Sequence, residues 1–498
     1  MTITDNLPSE LLDARTVEYL RTETFGHVID GEVVASTSDR VIPVFNPSSG
    51  QQIAEVADAS DADVDRAVLS ARRAFDDGRW RHLDPAEKER RLRRLAVLHA
   101  EHGAILSDLD VLDAGIVKQW AGFLLAHGVN SIDYYAGWPT KLQGTIPATT
   151  RDVAAYVLRE PVGVCATITP WNGPSAVVGR VAAALACGNS VIIKPAEQTP
   201  LAAVLIGQLC IEAGIPPGVV NILQGTGATA GAGLVAHPGV DKISFTGSVE
   251  TGKRIQRSAV DTMKRVTMEL GGKSPHIVFG DADLDKAVPA IQQAVWNNSG
   301  QVCTAGSRVL VQRSIYDQVV AAVVERSKDL RVGSAFENVD LGPLVSAQQM
   351  DTVERYVEGA LAEGAELVLG GGRTQDNGGA YLFNPTVFAD VATDMTIARE
   401  EIFGPVMSII PFEAEDDAFR IANDTMFGLS AGVWTQNLAR AHRAARAIQA
   451  GTVWVNTYQR VQHSVPYGGI KQSGYGRHLG EDSLEPYLAT KSVWMQVD

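Results

Sequence analysis

Between residues 163 and 270 short apolar runs alternate with helical patterns, and this alternation constrains the fold more than any other feature of the chain. The β-type runs lie at 164–169, 190–194, 219–224, 242–246 and 265–270, and the helical patterns at 175–186, 199–213, 228–236 and 249–259. Parallel strands need crossovers long enough to hold a helix, so this spacing predicts an α/β fold with a parallel sheet covered on both faces. Such sheets bind ligands at the C-terminal ends of their strands. Thr199, Pro200 and Gly214 give one helix a cap, a first-turn proline and a terminating glycine.

The flanking regions are less regular. Before the alternation come a loose N-terminus, strand-like runs at 27–30 and 41–44, and helical patterns at 62–76 and 85–102 that begin behind Asp61 and Asp84. The Arg-rich stretch 88–94 reads as a solvated helix face, and no chemistry is visible up to residue 140. Residues 144–158 read as an extended ribbon. A second half starts near Gly271, with strand-like runs at 276–279, 309–312 and 366–369 and helical patterns at 283–298, 315–330 and 347–361. A chain of 498 residues exceeds one core and implies two or three domains.

Composition removes several function classes. A net charge of −15 argues against nucleic acid or an anionic membrane as the main partner, because both require clustered Lys and Arg. No apolar run approaches the roughly 20 residues of a membrane span, and the first stretch has no basic segment of the signal-peptide kind; a cytoplasmic location is the expectation. Cys165, Cys187, Cys210 and Cys303 show neither metal-ligand spacing nor a disulfide framework, so no metal and reduced thiols are expected.

Cys303 lies among small and polar residues where a helical pattern ends and a strand begins. Its local sequence fits a nucleophile presented to a cleft and equally a small buried thiol. Gly225, Gly227 and Gly231 miss the dinucleotide fingerprint spacing by one residue. In Phe245-Thr246-Gly247-Ser248 a strand runs into a helix whose free N–H groups suit a phosphate; a capped helix start without a ligand is the other reading.

Five segments follow in one order: Thr169-Pro170-Trp171-Asn172, Lys194-Pro195-Ala196-Glu197, Phe245-Thr246-Gly247-Ser248, Met268-Glu269-Leu270-Gly271-Gly272-Lys273-Ser274 and Gly300-Gln301-Val302-Cys303. With Glu401-Ile402-Phe403-Gly404-Pro405 and Pro466-Tyr467-Gly468-Gly469 downstream, the chain resembles the NAD(P)-dependent aldehyde dehydrogenase superfamily from about residue 25 to its C-terminus. The resemblance implies Cys303 as nucleophile, Asn172 with the Cys303 N–H as oxyanion donors, and Glu269 as the base that hydrolyses the thioester. Relatives that pass the acyl group to coenzyme A generally lack this glutamate, so release of the free acid is implied.

For the cofactor the resemblance implies Gly227, Gly247 and Ser248 near the pyrophosphate, Lys194 and Glu197 at the adenosine ribose, Glu401 and Phe403 at the nicotinamide ribose, and Trp171 and Leu270 in the same cleft. A carboxylate at Glu197 repels a 2'-phosphate, which favours NAD over NADP. A substrate tunnel is implied along Gly173, Val177, Arg180, Asn297, Val461 and Tyr467. The implied architecture is a Rossmann-type cofactor domain (1–140 and 161–270), an α/β catalytic domain (271–472) and an oligomerisation ribbon with the C-terminal tail (141–160 and 473–498), in a homodimer or homotetramer.

The chain also departs from the pattern. His478 stands where many hydrolytic relatives have a glutamate that helps relay protons; it reads as a surface residue, with titration in place of that glutamate as the alternative. Gly173 widens the tunnel where small-aldehyde enzymes often carry an aromatic. Arg180 matches an arginine that grips a substrate carboxylate in succinate-semialdehyde enzymes, while their second arginine is Asn297 here; Arg460 is a candidate substitute. A semialdehyde dehydrogenase, a non-catalytic scaffold and a cofactor-free esterase are the alternatives to an NAD-dependent dehydrogenase of broad or medium-to-bulky aldehyde preference.

Overall fold

The computed structural model describes residues 6–22, 25–374 and 378–497. Its first sheet has five parallel strands in the spatial order Arg265–Leu270, Lys242–Gly247, Val164–Ile168, Ser190–Lys194 and Val220–Ile222. Antiparallel strands extend both edges: Gly474–Tyr475 beside Arg265–Leu270, and His27–Ile29 with Glu32–Val34 beside Val220–Ile222. Val164–Ile168 and Ser190–Lys194 are buried at every position, as strands covered by helices on both faces must be. Strand order reverses between Val164–Ile168 and Lys242–Gly247, the kind of switch point at which open parallel sheets bind ligands beyond their strand C-terminal ends.

The second sheet runs Glu366–Leu369, Thr386–Ala389, Val406–Phe412, Arg308–Gln312, Pro275–Val278, Ser430–Trp434 and Thr452–Val455, parallel except at the Glu366–Leu369 edge. Val153–Pro161 pairs antiparallel with Leu488–Gln496 over its whole length as a separate two-stranded ribbon. The ribbon strand starts later than its sequence suggests, since only Thr145 of the preceding segment bridges to Val157.

Two local expectations are corrected, and one stretch without an assignment is filled in. The N-terminus is not loose throughout: helix Ala14–Thr22 is anchored by Asp108, which accepts from Asp13 N (2.7 Å) and from Thr16 Oγ1 (2.8 Å), while residues 1–5 and 23–24 lie outside the described residues. Helix Leu201–Glu212 is not capped by Thr199; the carboxylate of Asp113, from a distant helix, accepts from Leu201 N at 3.2 Å. Residues 103–136 form two further helices, Gly103–Ala114 and Lys118–Ala136, which the sequence reading did not separate.

Candidate active site

Cys303 is set by an unusual turn. After helix Leu284–Trp296 the backbone passes through three left-handed residues, Asn298 (φ 48°), Ser299 (φ 53°) and Gly300 (φ 76°). Such backbone costs energy at non-glycine residues and persists only where surrounding contacts over-determine it. Here the buried Gln301 side chain donates to Asn298 O at 3.0 Å and accepts from Val345 N at 2.9 Å, while Ser299 Oγ donates to Gly342 O at 2.7 Å. A Cβ at Gly300 would lie 2.0 Å from Gly404 O, so only glycine fits.

From the first sheet, the chain leaves Val164–Ile168 into Thr169-Pro170-Trp171-Asn172, and Asn172 Nδ2 donates to Gln301 O at 3.0 Å. This loop is fixed from below by Asp110, a fully buried carboxyl that accepts from both the N–H (2.9 Å) and the hydroxyl of Ser175. Glu269 sits on Arg265–Leu270, 2% exposed, and neither carboxylate oxygen has a hydrogen-bond partner among the described residues. Burial pushes its carboxyl up to about 8, with Arg180 and then Arg477 pulling the other way.

The Cys303 thiol is half-buried. Burial and then the Glu269 charge push it up to about 12; the Tyr467 hydroxyl and Arg180 act against them, and Glu401 adds to them. Arg308, the one cation near it in sequence, points elsewhere and donates to Ile421 O (3.0 Å) and Ala422 O (2.7 Å). The positive charge comes instead from Arg180, whose Nη1 donates to Thr246 Oγ1 at 2.9 Å.

Asn172, Gly173, Arg180, Glu269, Cys303, Val461 and Tyr467 line one cavity. Two expected tunnel residues do not. Val177 faces inward and packs in the core around the first sheet, because Ala176, Gly179, Arg180 and Ala183 are the positions this helix turns toward the cavity. Asn297 instead donates to Gln459 Oε1 at 2.9 Å, and Gln459 reaches the cavity. Arg460 is exposed and does not line it.

The sequence reading missed a whole wall. Trp120, Phe123, Leu124 and His127 line the cavity from Lys118–Ala136, on a helix where no chemistry was visible. Their rings run in a stack, Trp120–Phe123 at 4.8 Å and Phe123–His127 at 6.2 Å, and His127 meets His463 at 4.9 Å. His478 is not a surface residue: it lines the cavity near Glu269, and burial lowers it to about 3, so the ring is neutral.

The expected cofactor residues gather at the strand ends of the first sheet. Lys194, 1% exposed, donates to Glu197 Oε2 at 2.9 Å. Burial works to raise the Glu197 carboxyl, but Lys194 outweighs it and holds Glu197 below its ordinary value. Ser248 caps helix Val249–Ala259 through Thr251 N, and a Cβ at Gly227 would meet open space. Leu270 packs in the apolar cluster with Phe245 and Met268. Trp171 and Phe403 meet edge to face at 5.1 Å. Glu401 accepts from Gly272 N at 3.1 Å, and burial pushes it up to about 7. A Cβ at Gly271 would lie 1.8 Å from Glu401 Oε2, so a side chain there would displace the Glu401 carboxylate. An open cradle at Gly227, a capped helix N-terminus and a half-buried carboxylate beside them fit a dinucleotide.

A family model described as the aldehyde dehydrogenase family matches residues 33–493. The chain belongs to the aldehyde dehydrogenase family. It is 45% identical over 474 residues to retinal dehydrogenase 2 of Homo sapiens, covering 94% of this chain and 91% of that protein. An NAD+ complex of an aldehyde dehydrogenase from Bacillus cereus superposes with a TM-score of 0.95 at 42% identity, covering 98% of this chain and 99% of the other. Indole-3-acetaldehyde dehydrogenase in complex with NAD+ gives a TM-score of 0.94 at 41% identity over 97% of this chain and 99% of the other. The fold is therefore that of an aldehyde dehydrogenase, with a Rossmann-type α/β sheet, and the chain is an oxidoreductase acting on the aldehyde group. Among the described residues no helix is long and apolar enough to cross a membrane, and no cluster of His, Cys, Asp and Glu could hold a metal ion.

Proposed function

We propose that this chain oxidises uncharged, medium-to-bulky aldehydes with NAD and releases the free acid, using Cys303, Asn172 and Glu269. The observation that carries this reading is a buried carboxyl group with no hydrogen-bond partner among the described residues, Glu269, sharing one cavity with Cys303 and Asn172. A scaffold protein has no use for these three side chains converging. The NAD+ complexes of similar enzymes support NAD as acceptor.

Cys303 sulfur, once ionised, adds to the carbonyl carbon, and the π electrons move to oxygen. Asn172 Nδ2 and the Cys303 N–H donate to that oxyanion, fixed in place before the charge develops. NAD, when bound, supplies the acceptor for the hydride that leaves the adduct, and an acyl thioester on Cys303 results. Glu269 then takes a proton from water as the oxygen attacks the thioester carbon, and the C–S bond breaks to return the thiolate. Lys194, Glu197, Gly227 and Ser248 would hold the adenosine and pyrophosphate, and Glu401, Phe403 and Trp171 the nicotinamide end.

The ring wall of Trp120, Phe123 and His127 with the opening at Gly173 supports flat or bulky apolar substrates. Arg180 and Arg477 near the reacting centre count against cationic aldehydes. A semialdehyde acid remains the second reading because Arg180 lines the cavity, although neither Asn297 nor Arg460 joins it. The same proposal includes the division into a cofactor part (1–140 and 161–270), a catalytic part (271–472) and a ribbon with tail (141–160 and 473–498), a homodimer or homotetramer joined through the ribbon, and a cytoplasmic location.

A Cys303→Ala enzyme tests the reading. It keeps NAD binding and loses turnover; retained turnover overturns the nucleophile assignment.

A further inference from the structure

The sulfur of Cys303 stands in surroundings that oppose its ionisation. Glu269 from strand Arg265–Leu270 and Glu401 from the loop after helix Thr396–Arg399 both oppose its ionisation whenever they are themselves ionised, and the phenol of Tyr458 lies near it as well. Arg180, from helix Val177–Ala186, supplies positive charge but hydrogen-bonds Thr246 rather than the sulfur. Arg477 acts on Glu269 in the same sense as Arg180, and His127 and His478, both lowered by burial, contribute no charge at neutral pH. Asn172 points its amide at Gln301 O.

One side chain does reach the sulfur. Tyr467 Oη lies 3.4 Å from Cys303 Sγ, a hydrogen-bonding distance for the larger sulfur atom. Its backbone is held to His478 by reciprocal bonds of 2.7 Å, Tyr467 N to His478 O and His478 N to Tyr467 O, so the ring is aimed by main-chain contacts that do not depend on its hydroxyl. Among the described residues no other side chain hydrogen-bonds this sulfur.

We propose that Tyr467 is a further catalytic residue, whose hydroxyl donates to the Cys303 thiolate and stabilises the nucleophile before substrate arrives. The proton on sulfur passes to solvent and the phenol keeps its own. With the thiol ionised only the phenol has a proton to share, so the hydrogen bond then runs from oxygen to sulfur. Burial, then Cys303 and Glu269 in their ionised forms, hold the phenol well above its ordinary range against the pull of Arg180, which keeps it a donor throughout. This role rests on Cys303 being the nucleophile and assigns to Tyr467, expected only as a tunnel wall, contact with the reacting atom.

The test is the pH dependence of iodoacetamide alkylation of Cys303, followed by mass and by thiolate ultraviolet absorbance, in wild type, in Tyr467→Phe and with fluorotyrosine at position 467. A hydrogen bond to a charged group is worth enough to move the midpoint of Tyr467→Phe up by about one pH unit, slowing alkylation at neutral pH about tenfold. Fluorotyrosine, a stronger donor with the same ring, moves it down. NAD affinity measured in each protein reports folding independently of the hydroxyl. Midpoints that coincide in all three proteins overturn the role of Tyr467. Alkylation that leaves wild-type turnover intact instead overturns the nucleophile reading beneath it, so the two failures are distinguishable.

Discussion

The side-chain amide of Asn172 donates to the main-chain carbonyl of Gln301 at 3.0 Å, joining the end of a strand in the first sheet to the turn that carries Cys303. That bond uses one N–H of the amide and leaves the other available on a residue that lines the cavity. Removing an oxyanion donor typically costs a factor of about 100 to 1,000 in kcat, so Asn172→Ala should lose about that much while alkylation of Cys303 persists. Steady-state kinetics with any accepted aldehyde checks it, and an unchanged kcat contradicts it.

The base should be visible in the pH profile. Glu269 is raised to about 8, so it is protonated below that value, and only the ionised form can take a proton from water. Deacylation therefore rises with pH through about 8. Burial raises the group and Arg180 lowers it, so Arg180→Gln should move this limb to higher pH; a downward move contradicts the assignment. The sign for stability is opposite: a raised carboxyl favours the fold most below its ordinary 4.5 and loses that contribution as pH climbs through about 8.

Glu197 should govern cofactor choice. Its carboxylate, held ionised by Lys194, repels the 2'-phosphate of NADP. Glu197→Gln should raise the ratio of kcat/KM for NADP over NAD by about tenfold, a modest share of what like-charge contact costs. A wild-type preference for NADP contradicts the role given to this residue.

The ribbon leaves Trp494 68% and Met495 45% exposed on an open strand pair, an arrangement proteins usually cover. Light scattering should report a dimer or tetramer, and Trp494→Glu should shift it toward the monomer. A monomeric wild type contradicts the assembly.

Much of this was legible in the sequence because of where the strands lie. Val164–Ile168 and Ser190–Lys194 are buried on both faces and so carry mainly apolar residues without alternation, and the segments around Asn172, Glu269 and Cys303 are short and local. The wall from Lys118–Ala136 was not legible. Trp120, Phe123 and His127 at helical spacing look like any core face; they become a cavity wall because Gly128 and Gly179 let two helices cross closely, with Ser131 Oγ bonding Gly179 O at 3.2 Å. The cap from Asp113 to Leu201 and the inward turn of His478 depend likewise on pairings between distant segments.

The central claim is that Glu269 acts after the oxidation and Cys303 before it. Mixing Glu269→Gln enzyme with NAD and aldehyde, and following NADH together with the mass of the protein, separates the two steps. The account predicts a burst of NADH close to one per active site, then a stall with an acyl group on Cys303. Sustained wild-type turnover, or a stall with no burst and Cys303 unmodified, would contradict it.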